Sequence, residues 1–192
     1  MRFSPLALFP AVALATLCAT LPYTLTAQAQ PPTVGAKAPN FTLATPEGSQ
    51  VTLDGLLKKG PVVLIVLRGY PGYQCPYCQR QAHDFETNAG QFAAKGAELL
   101  LVYPGQAINL TQHAQEFLKQ SQDLPPNFHL VIDPDFAVTN LYGLRWNAPA
   151  ETAYPSTFLL DRKGVITYRK ISREHGDRTT AAEVLAELGK AQ

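Results

Sequence analysis

Cysteine is scarce in this chain. There are three in 192 residues, and only Cys75 and Cys78 stand close together. No second cysteine pair exists, so the usual zinc arrangement of two Cys-x-x-Cys pairs is excluded, and His83 is the imidazole nearest to hand as a further ligand. Excess charge of either sign is also missing. The 16 basic and 15 acidic residues leave a formal charge of +1, with no basic field to attract nucleic acid or an acidic membrane surface. Charged residues make up 16% and hydrophobic residues 46%. Such a composition excludes the disordered and collagen-like classes and fits one globular domain. No internal repeat and no second domain is visible.

The first 29 residues have almost no charge. Arg2 is the only charged residue before Lys37, and an apolar run from Leu6 to Leu21 is interrupted by Pro10. Ala27-Gln28-Ala29 then offers a small-x-small exit. Basic start, apolar middle and small-residue exit are the order of a secretory signal peptide. The run is shorter than the roughly 20 residues that span a bilayer, so no stable membrane insertion is expected after cleavage. A lipoprotein signal at Cys18 is disfavoured by the bulky Leu17 beside it. The expectation is a signal peptide over 1–29, a short mobile lead-in over 30–40 and one domain over 41–192, soluble and periplasmic or extracellular. Processing would leave 15 basic and 15 acidic residues. It would also leave two cysteines, with no unpaired thiol in an oxidising compartment.

Periodicity then sets out the domain. Phe41–Leu43 and Gln50–Leu53 alternate around Pro46-Glu47-Gly48 and predict a hairpin. Asp54 is the expected cap of a one-turn helix ending near Lys59-Gly60. Pro61–Leu67 is continuously aliphatic, the pattern of a strand covered on both faces. From Pro76, the residues Cys78, Ala82, Phe85, Ala89 and Phe92 mark one helical face, ended by Gly96. Ala97–Tyr103 predicts a strand, Ile108–Gln120 a helix and His129–Ile132 a strand. A short helix capped by Asp133 or Asp135 should follow and close at Gly143. Arg145–Tyr154 predicts a loop, Thr157–Leu160 with Val165–Tyr168 a hairpin, and Thr180–Leu188 an amphipathic helix. Alternating strands and helices imply an α/β fold, with a mixed central β-sheet flanked by helices and an N-terminal β-hairpin extension.

The cysteines fall where a central strand becomes a helix. Pro76 suits the first helical position, where its missing N–H costs nothing. Free backbone N–H groups and the helix dipole there favour a thiolate on Cys75. Cys78, one turn on, faces the core. The expected pair is an exposed attacking Cys75 and a sheltered resolving Cys78. A structural disulfide closing so short a loop would add little stability. Tyr154-Pro155-Ser156-Thr157 precedes a later strand. A cis bond at Pro155 would open a strand edge for docking beside the cysteines, although sequence does not fix the isomer. Tyr70, Tyr73, Tyr77 and Trp146 form either an apolar rim for a partner or loop packing. His113, His129 and His175 have no ligand spacing and read as ordinary.

Val34-Gly35-Ala36-Lys37-Ala38-Pro39-Asn40-Phe41-Thr42-Leu43, the strand into Cys75, Val131-Ile132-Asp133-Pro134, Tyr142-Gly143 and Ser156–Gly164 resemble the AhpC/TSA, or redoxin, family over residues 34–170. The resemblance implies a thioredoxin-like fold and thiol chemistry with no cofactor or metal, either peroxide reduction or disulfide exchange. Departures follow. Peroxiredoxins carry Pro-x-x-x-Thr/Ser-x-x-Cys, and the matching positions here are Arg68 and Gly72. They also place an Arg before the Ser/Thr-Thr-Phe strand, where this chain has Pro155, a residue that thioredoxin-type disulfide exchangers prefer. Arg68 or Arg145 would have to stabilise the thiolate instead. Arg68-Gly69 followed by Cys-Pro-x-Cys resembles some peroxiredoxin-like members, and Cys-Pro-Tyr-Cys resembles glutaredoxins, which lack the hairpin.

On these residues the first expectation is a disulfide oxidoreductase with Cys75 attacking, Cys78 resolving, and Pro155, Tyr154, Trp146 and Tyr77 docking the partner. The alternative is a thiol peroxidase reducing hydroperoxides through a sulfenic acid on Cys75. A third is a non-enzymatic metal carrier using Cys75, Cys78 and His83. The expected partners are protein or small-molecule thiols and disulfides, or hydroperoxides, with a separate reductant.

Overall fold

The structure, a computed structural model, describes residues 29–119, 121 and 124–190. The targeting segment expected over 1–29, with Cys18, lies outside the described residues save for Ala29. Among the described residues no helix is long and apolar enough to cross a membrane.

A five-stranded mixed sheet forms the centre. It is built from β3 (Val62–Val66), β4 (Glu98–Gly105), β5 (Phe128–Pro134), β6 (Ser156–Leu160) and β7 (Ile166–Ile171), in the order β5-β4-β3-β6-β7. β3, β4 and β5 run parallel, and β6 and β7 add antiparallel. A separate hairpin pairs β1 (Thr42–Ala44) with β2 (Gln50–Thr52). The mixed sheet and the hairpin are those expected from the alternation of runs.

β3 explains its own central place. Every one of its residues is buried. Val63, Ile65 and the following Leu67 pack into one core, while Val62, Leu64 and Val66 pack into the other. Burying each such side chain contributes about 1.5–3 kcal/mol, an upper figure for a chain already partly collapsed when unfolded. The first core is closed by α2 (Pro76–Thr87), α3 (Ala89–Ala94), α4 (Leu110–Leu118) and α6 (Ala181–Lys190). The second is closed by the hairpin, α1 (Leu53–Leu57) and α5 (Ala137–Leu141). Both cysteines belong to the first.

Three local expectations are corrected, and an alternative left open at α5 is decided. The helix from Pro76 to Gly96 is two helices, broken at Asn88, whose backbone leaves the helical region and whose side-chain amide donates to Asp84 O at 2.8 Å. The apolar spacing runs through the break because both helices face the same core. Asp54 does not cap α1: Thr52 is its N-cap residue, and Asp54 N donates to Asn40 Oδ1 at 3.0 Å. The lead-in is tied down rather than mobile. Gly35 N donates to Ile166 O, Ile166 N to Ala36 O and Ala38 N to Gly164 O, so it lines the edge of β7. For α5 the cap is Asp133, not Asp135, acting from three residues before the N-cap residue Phe136. Its carboxylate accepts from Val138 N at 2.9 Å and Thr139 N at 2.8 Å.

Candidate active site

β3 delivers the chain to the site through a single tight turn. Gly69 has φ +72°, and Tyr70 N donates to Pro104 O at 3.0 Å. The loop is then held from β4 and α4. Tyr103 Oη donates to Gln74 Oε1 at 2.9 Å, Gln74 Nε2 donates to His113 O at 2.8 Å, and Tyr70 stacks on the His113 ring at 3.6 Å. His113 therefore has a structural task.

Cys75 is the N-cap residue of α2 and Pro76 its first residue. Both cysteines are free thiols. Cys78 is fully buried, as expected. Cys75 is only 1% exposed, so the expected exposed attacking thiol is corrected. The segment between β7 and α6, residues 172–179, brings Arg178 to it, from the gap between two regular elements where no periodicity marked it.

That segment carries Arg178. Its Nη2 reaches Cys75 Sγ at 3.9 Å and Cys78 Sγ at 3.7 Å, its Nε donates to His175 O at 2.7 Å and its Nη1 to Gln81 Oε1 at 3.1 Å. Gln81 closes the clasp by donating to Thr179 O at 3.2 Å. Arg178 was missed because its only sequence signal is a charge in an unpatterned loop about 100 positions from the cysteines.

These contacts split the two thiols. Cys75 is pulled down from the usual thiol value to about 5, first by the hydrogen bond from Cys78, which more than offsets burial, and then by the positive charge of Arg178 and by Arg68. Burial pushes Cys78 well up, and its bond to Cys75 adds to the effect. The two shifts are opposite in direction, so the site favours charge on Cys75 and the proton on Cys78.

Of the two arginines expected to stabilise the thiolate, Arg68 is buried at the start of the loop that leads to Cys75, and its hydrogen bonds go to that loop and to the Glu151 loop. It is 2% exposed, with Nε donating to Glu151 Oε2 and Nη2 to Ala150 O, both at 2.6 Å, and Nη1 to Tyr73 Oη at 2.7 Å. Arg145 is not in place. Its Nη1 donates to the carbonyls of Trp146, Glu151 and Thr152, and its guanidinium lies 4.0 Å from the centre of the Phe136 ring. It shapes the loop that holds Glu151. Glu151 was also missed. It joins Arg68 to His175, whose Nε2 lies 2.8 Å from Oε1.

The docking residues come together only in part. Trp146 stacks on Tyr154 at 4.8 Å and lies 5.4 Å from the His175 ring, with Tyr77 6.4 Å from the same ring. His175, read as ordinary, is thus the centre of the rim. Pro155 is buried, and its carbonyl accepts from Ser172 N at 2.8 Å. Among the described residues no peptide bond is cis. The strand edge that a cis-Pro155 would have offered is instead occupied by residue 172. His83 is exposed on α2, apart from the buried thiols, and among the described residues no three His, Cys, Asp or Glu side chains gather as metal ligands.

Comparison with known proteins agrees with this geometry. Residues 34–169 match the AhpC/TSA family. A Coxiella burnetii protein named "Putative peroxiredoxin bcp" is 34% identical over 139 residues, covering 70% of this chain and 85% of that one. Among solved structures, peroxidoxin BcpB from Mycobacterium tuberculosis superposes with a TM-score of 0.66 at 22% identity, over 83% of this chain and 97% of that one. A Chlorobium tepidum structure described as a "putative Thiol:disulfide interchange protein DsbE" superposes with a TM-score of 0.60 at 26% identity, over 82% and 99%.

Proposed function

From the premise that this chain belongs to the AhpC/TSA family and is a thiol-dependent oxidoreductase, we propose that it is a peroxiredoxin-like thiol peroxidase with Cys75 as attacking and Cys78 as resolving residue. The similarity to peroxiredoxins favours this reading over the disulfide oxidoreductase that the cysteine pair and Pro155 first suggest. The observation that carries it is a thiolate site 1% exposed beneath Arg178. A two-oxygen substrate needs a far smaller opening than a polypeptide disulfide.

The Cys75 thiolate attacks the outer oxygen of ROOH, and the O–O bond breaks. The leaving RO⁻ takes a proton from water, giving ROH and a Cys75 sulfenic acid. The Cys78 sulfur then attacks the Cys75 sulfur, and the S–O bond breaks. The departing hydroxide takes the Cys78 proton as water. The resulting disulfide returns to the dithiol with two electrons and two protons from an external thiol reductant. Arg178 and Arg68 hold charge on Cys75 in the role for which Pro155 leaves no arginine.

Peroxide consumption with a recycling dithiol tests this. Cys75→Ser should fall to the rate of a free thiol. With the dithiol left out, Cys78→Ser should consume one peroxide per chain and then stop, with a sulfenic acid that dimedone traps. Wild-type consumption no faster than a free thiol would refute the assignment. The Cys-Pro-Tyr-Cys pair and the likeness to a DsbE structure support a second reading, disulfide exchange. A wild-type rate with a model disulfide exceeding that with peroxide would select it. Export is likewise proposed, from the Arg2, Leu6–Leu21 and Ala27-Gln28-Ala29 pattern. The N-terminal sequence of protein recovered from the cell envelope tests it, with Gln30 expected first.

A further inference from the structure

We propose that Gln81 is a positioning residue: it aims Arg178 at the two sulfurs, and its neutral amide leaves the guanidinium charge to act on Cys75. The proposal rests on Cys75 as the attacking thiol and not on peroxide as its substrate.

Gln81 follows Cys78 by one turn of α2, so the two share a face. That face is otherwise apolar, with Cys78, Ala82 and Phe85 buried in the first core. Gln81 itself is 6% exposed. An amide so placed costs stability unless its polar atoms are bonded. Both ends are. Oε1 accepts from Arg178 Nη1 at 3.1 Å, and Nε2 donates to Thr179 O at 3.2 Å. The reverse orientation would set donor against donor and oxygen against oxygen, so these contacts fix the amide. A methionine at this position offers neither bond, and a glutamate offers only the acceptor. Gln81 belongs to the stretch that matches the family, residues 34–169, while Arg178 lies beyond it.

The guanidinium nitrogens of Arg178 divide between holding and acting. Nε is held by His175 O at 2.7 Å and Nη1 by Gln81 Oε1. Nη2 reaches Cys78 Sγ at 3.7 Å and Cys75 Sγ at 3.9 Å. Both holding acceptors are amide oxygens, which orient the guanidinium without bringing a negative charge to it. Arg68, by contrast, has the Glu151 carboxylate at 2.6 Å. The other titratable groups around the sulfurs and Arg178 are Tyr103, Arg68 with Glu151, His175, and the Lys170–Asp177 ion pair, which lines the same small cavity as Gln81. Among the described residues the side chain of Gln81 bonds only to Arg178 and Thr179. Changing it therefore acts on Arg178 and leaves those ion pairs in place.

Thiolate absorbance near 240 nm, titrated on the reduced full chain between about pH 4 and pH 8, reads the charge on Cys75 with no peroxide present. Cys78 stays protonated over this range, because burial pushes its value up. Gln81→Glu keeps the acceptor, loses the bond to Thr179 O and sets a negative charge against Arg178. Its midpoint should lie about 1 unit above wild type. Gln81→Met releases Nη1 and should move the midpoint in the same direction. Arg178→Met should already have a raised midpoint, and adding Gln81→Met to it should move the midpoint no further, because Gln81 acts through Arg178. Should Gln81→Met not fold, Gln81→Glu, the closer in shape, carries the test. Should Arg178→Met not fold, the two single Gln81 variants decide. An unchanged midpoint in the Gln81 variants would overturn the proposal. So would a Gln81→Met shift as large in Arg178→Met as in wild type. A protein whose midpoint moves as expected but which consumes no peroxide would keep Gln81 in this role and lose the peroxidase assignment.

Discussion

Arg68 and Glu151 meet Nε to Oε2 at 2.6 Å, with Arg68 2% exposed and Glu151 11%. The contact joins the end of the central strand to the loop before β6, 83 positions on. Glu151 also holds His175, so one carboxylate ties the loop leading to Cys75 to the segment that carries Arg178. Burial disfavours charge on both partners. Their mutual hydrogen bonds outweigh it, raising Arg68 further and lowering Glu151.

Breaking that pair from one side should cost more than removing it whole. Arg68→Met leaves a nearly buried carboxylate with only His175 as a partner and should destabilise by about 3 kcal/mol. Glu151→Gln keeps one acceptor and should cost about 2 kcal/mol. The double variant should cost less than the sum. Urea unfolding of all four proteins forms a double-mutant cycle. Single-variant losses below about 0.5 kcal/mol would place the pair with ordinary surface bridges. In a protein that still folds, Arg68→Met should also raise the Cys75 value.

Cys75 sets a pH dependence for the reduced protein. Its folded value, about 5, lies below that of an unfolded thiol, roughly 8.5. The thiolate's contribution to stability is therefore fully present above the unfolded value and is lost as pH falls toward 5. Cys78 remains protonated across that window, since its shift is upward. Stability of reduced wild type should fall from pH 8 to pH 5 more steeply than that of Cys75→Ser. Thiolate absorbance near 240 nm should titrate at the same point, and peroxide reactivity should rise with it. Parallel curves for the two proteins would contradict the thiolate assignment.

The parts of this protein legible in its sequence are those where one residue's surroundings are set by its neighbours in the chain. Val62–Val66 reads as a central strand because both faces are buried. Cys75 reads as a helix start because Pro76 follows it. What brings Arg178 to Cys75 does not read. Arg178, Glu151 and His175 come from loops, where no period marks a face, and only the pairing of β6 with β3 and β7 brings them to the thiols. Arg145 misleads for the same reason: it starts the right loop, but its guanidinium is taken by that loop's own carbonyls. Pro155 was ambiguous because its bond isomer and the occupant of its carbonyl are both set by distant chain.

The cap of α5 offers a test of stability separated from chemistry. Asp133 is fully buried and accepts from Val138 N, Thr139 N and, at 2.7 Å, Thr139 Oγ1. It belongs to the end of β5, and the helix it caps packs into the core opposite the cysteines. Asp133→Ala strands two buried N–H groups and should cost about 2–4 kcal/mol. In a domain of this size that lowers Tm by roughly 5–15 °C. Peroxide turnover at 25 °C, measured on the folded fraction, should stay within about twofold of wild type. A tenfold loss would instead tie α5 to the active site.

Gly69 is where fold and chemistry meet most tightly. It follows Arg68 directly and has φ +72°, a conformation unfavourable for any residue with a side chain. A Cβ there would also overlap the Pro104 carbonyl oxygen and lie 2.8 Å from the Pro104 ring. The neighbouring bond from Tyr70 N to that oxygen would then have to lengthen, and the loop from Arg68 to Cys75 would be displaced from β4. Gly69→Ala should therefore lose about 3 kcal/mol or more, through backbone strain and overlap together. Its surviving folded protein should show a raised Cys75 value, because Arg68 moves with the turn. Gly72→Ala is the control. Gly72 also has positive φ, +113°, but nothing lies within 4 Å of an added Cβ, so only the backbone cost of about 1–2 kcal/mol remains. Equal losses at the two positions would show that close approach to Pro104 contributes nothing, and that the turn is set by backbone conformation alone.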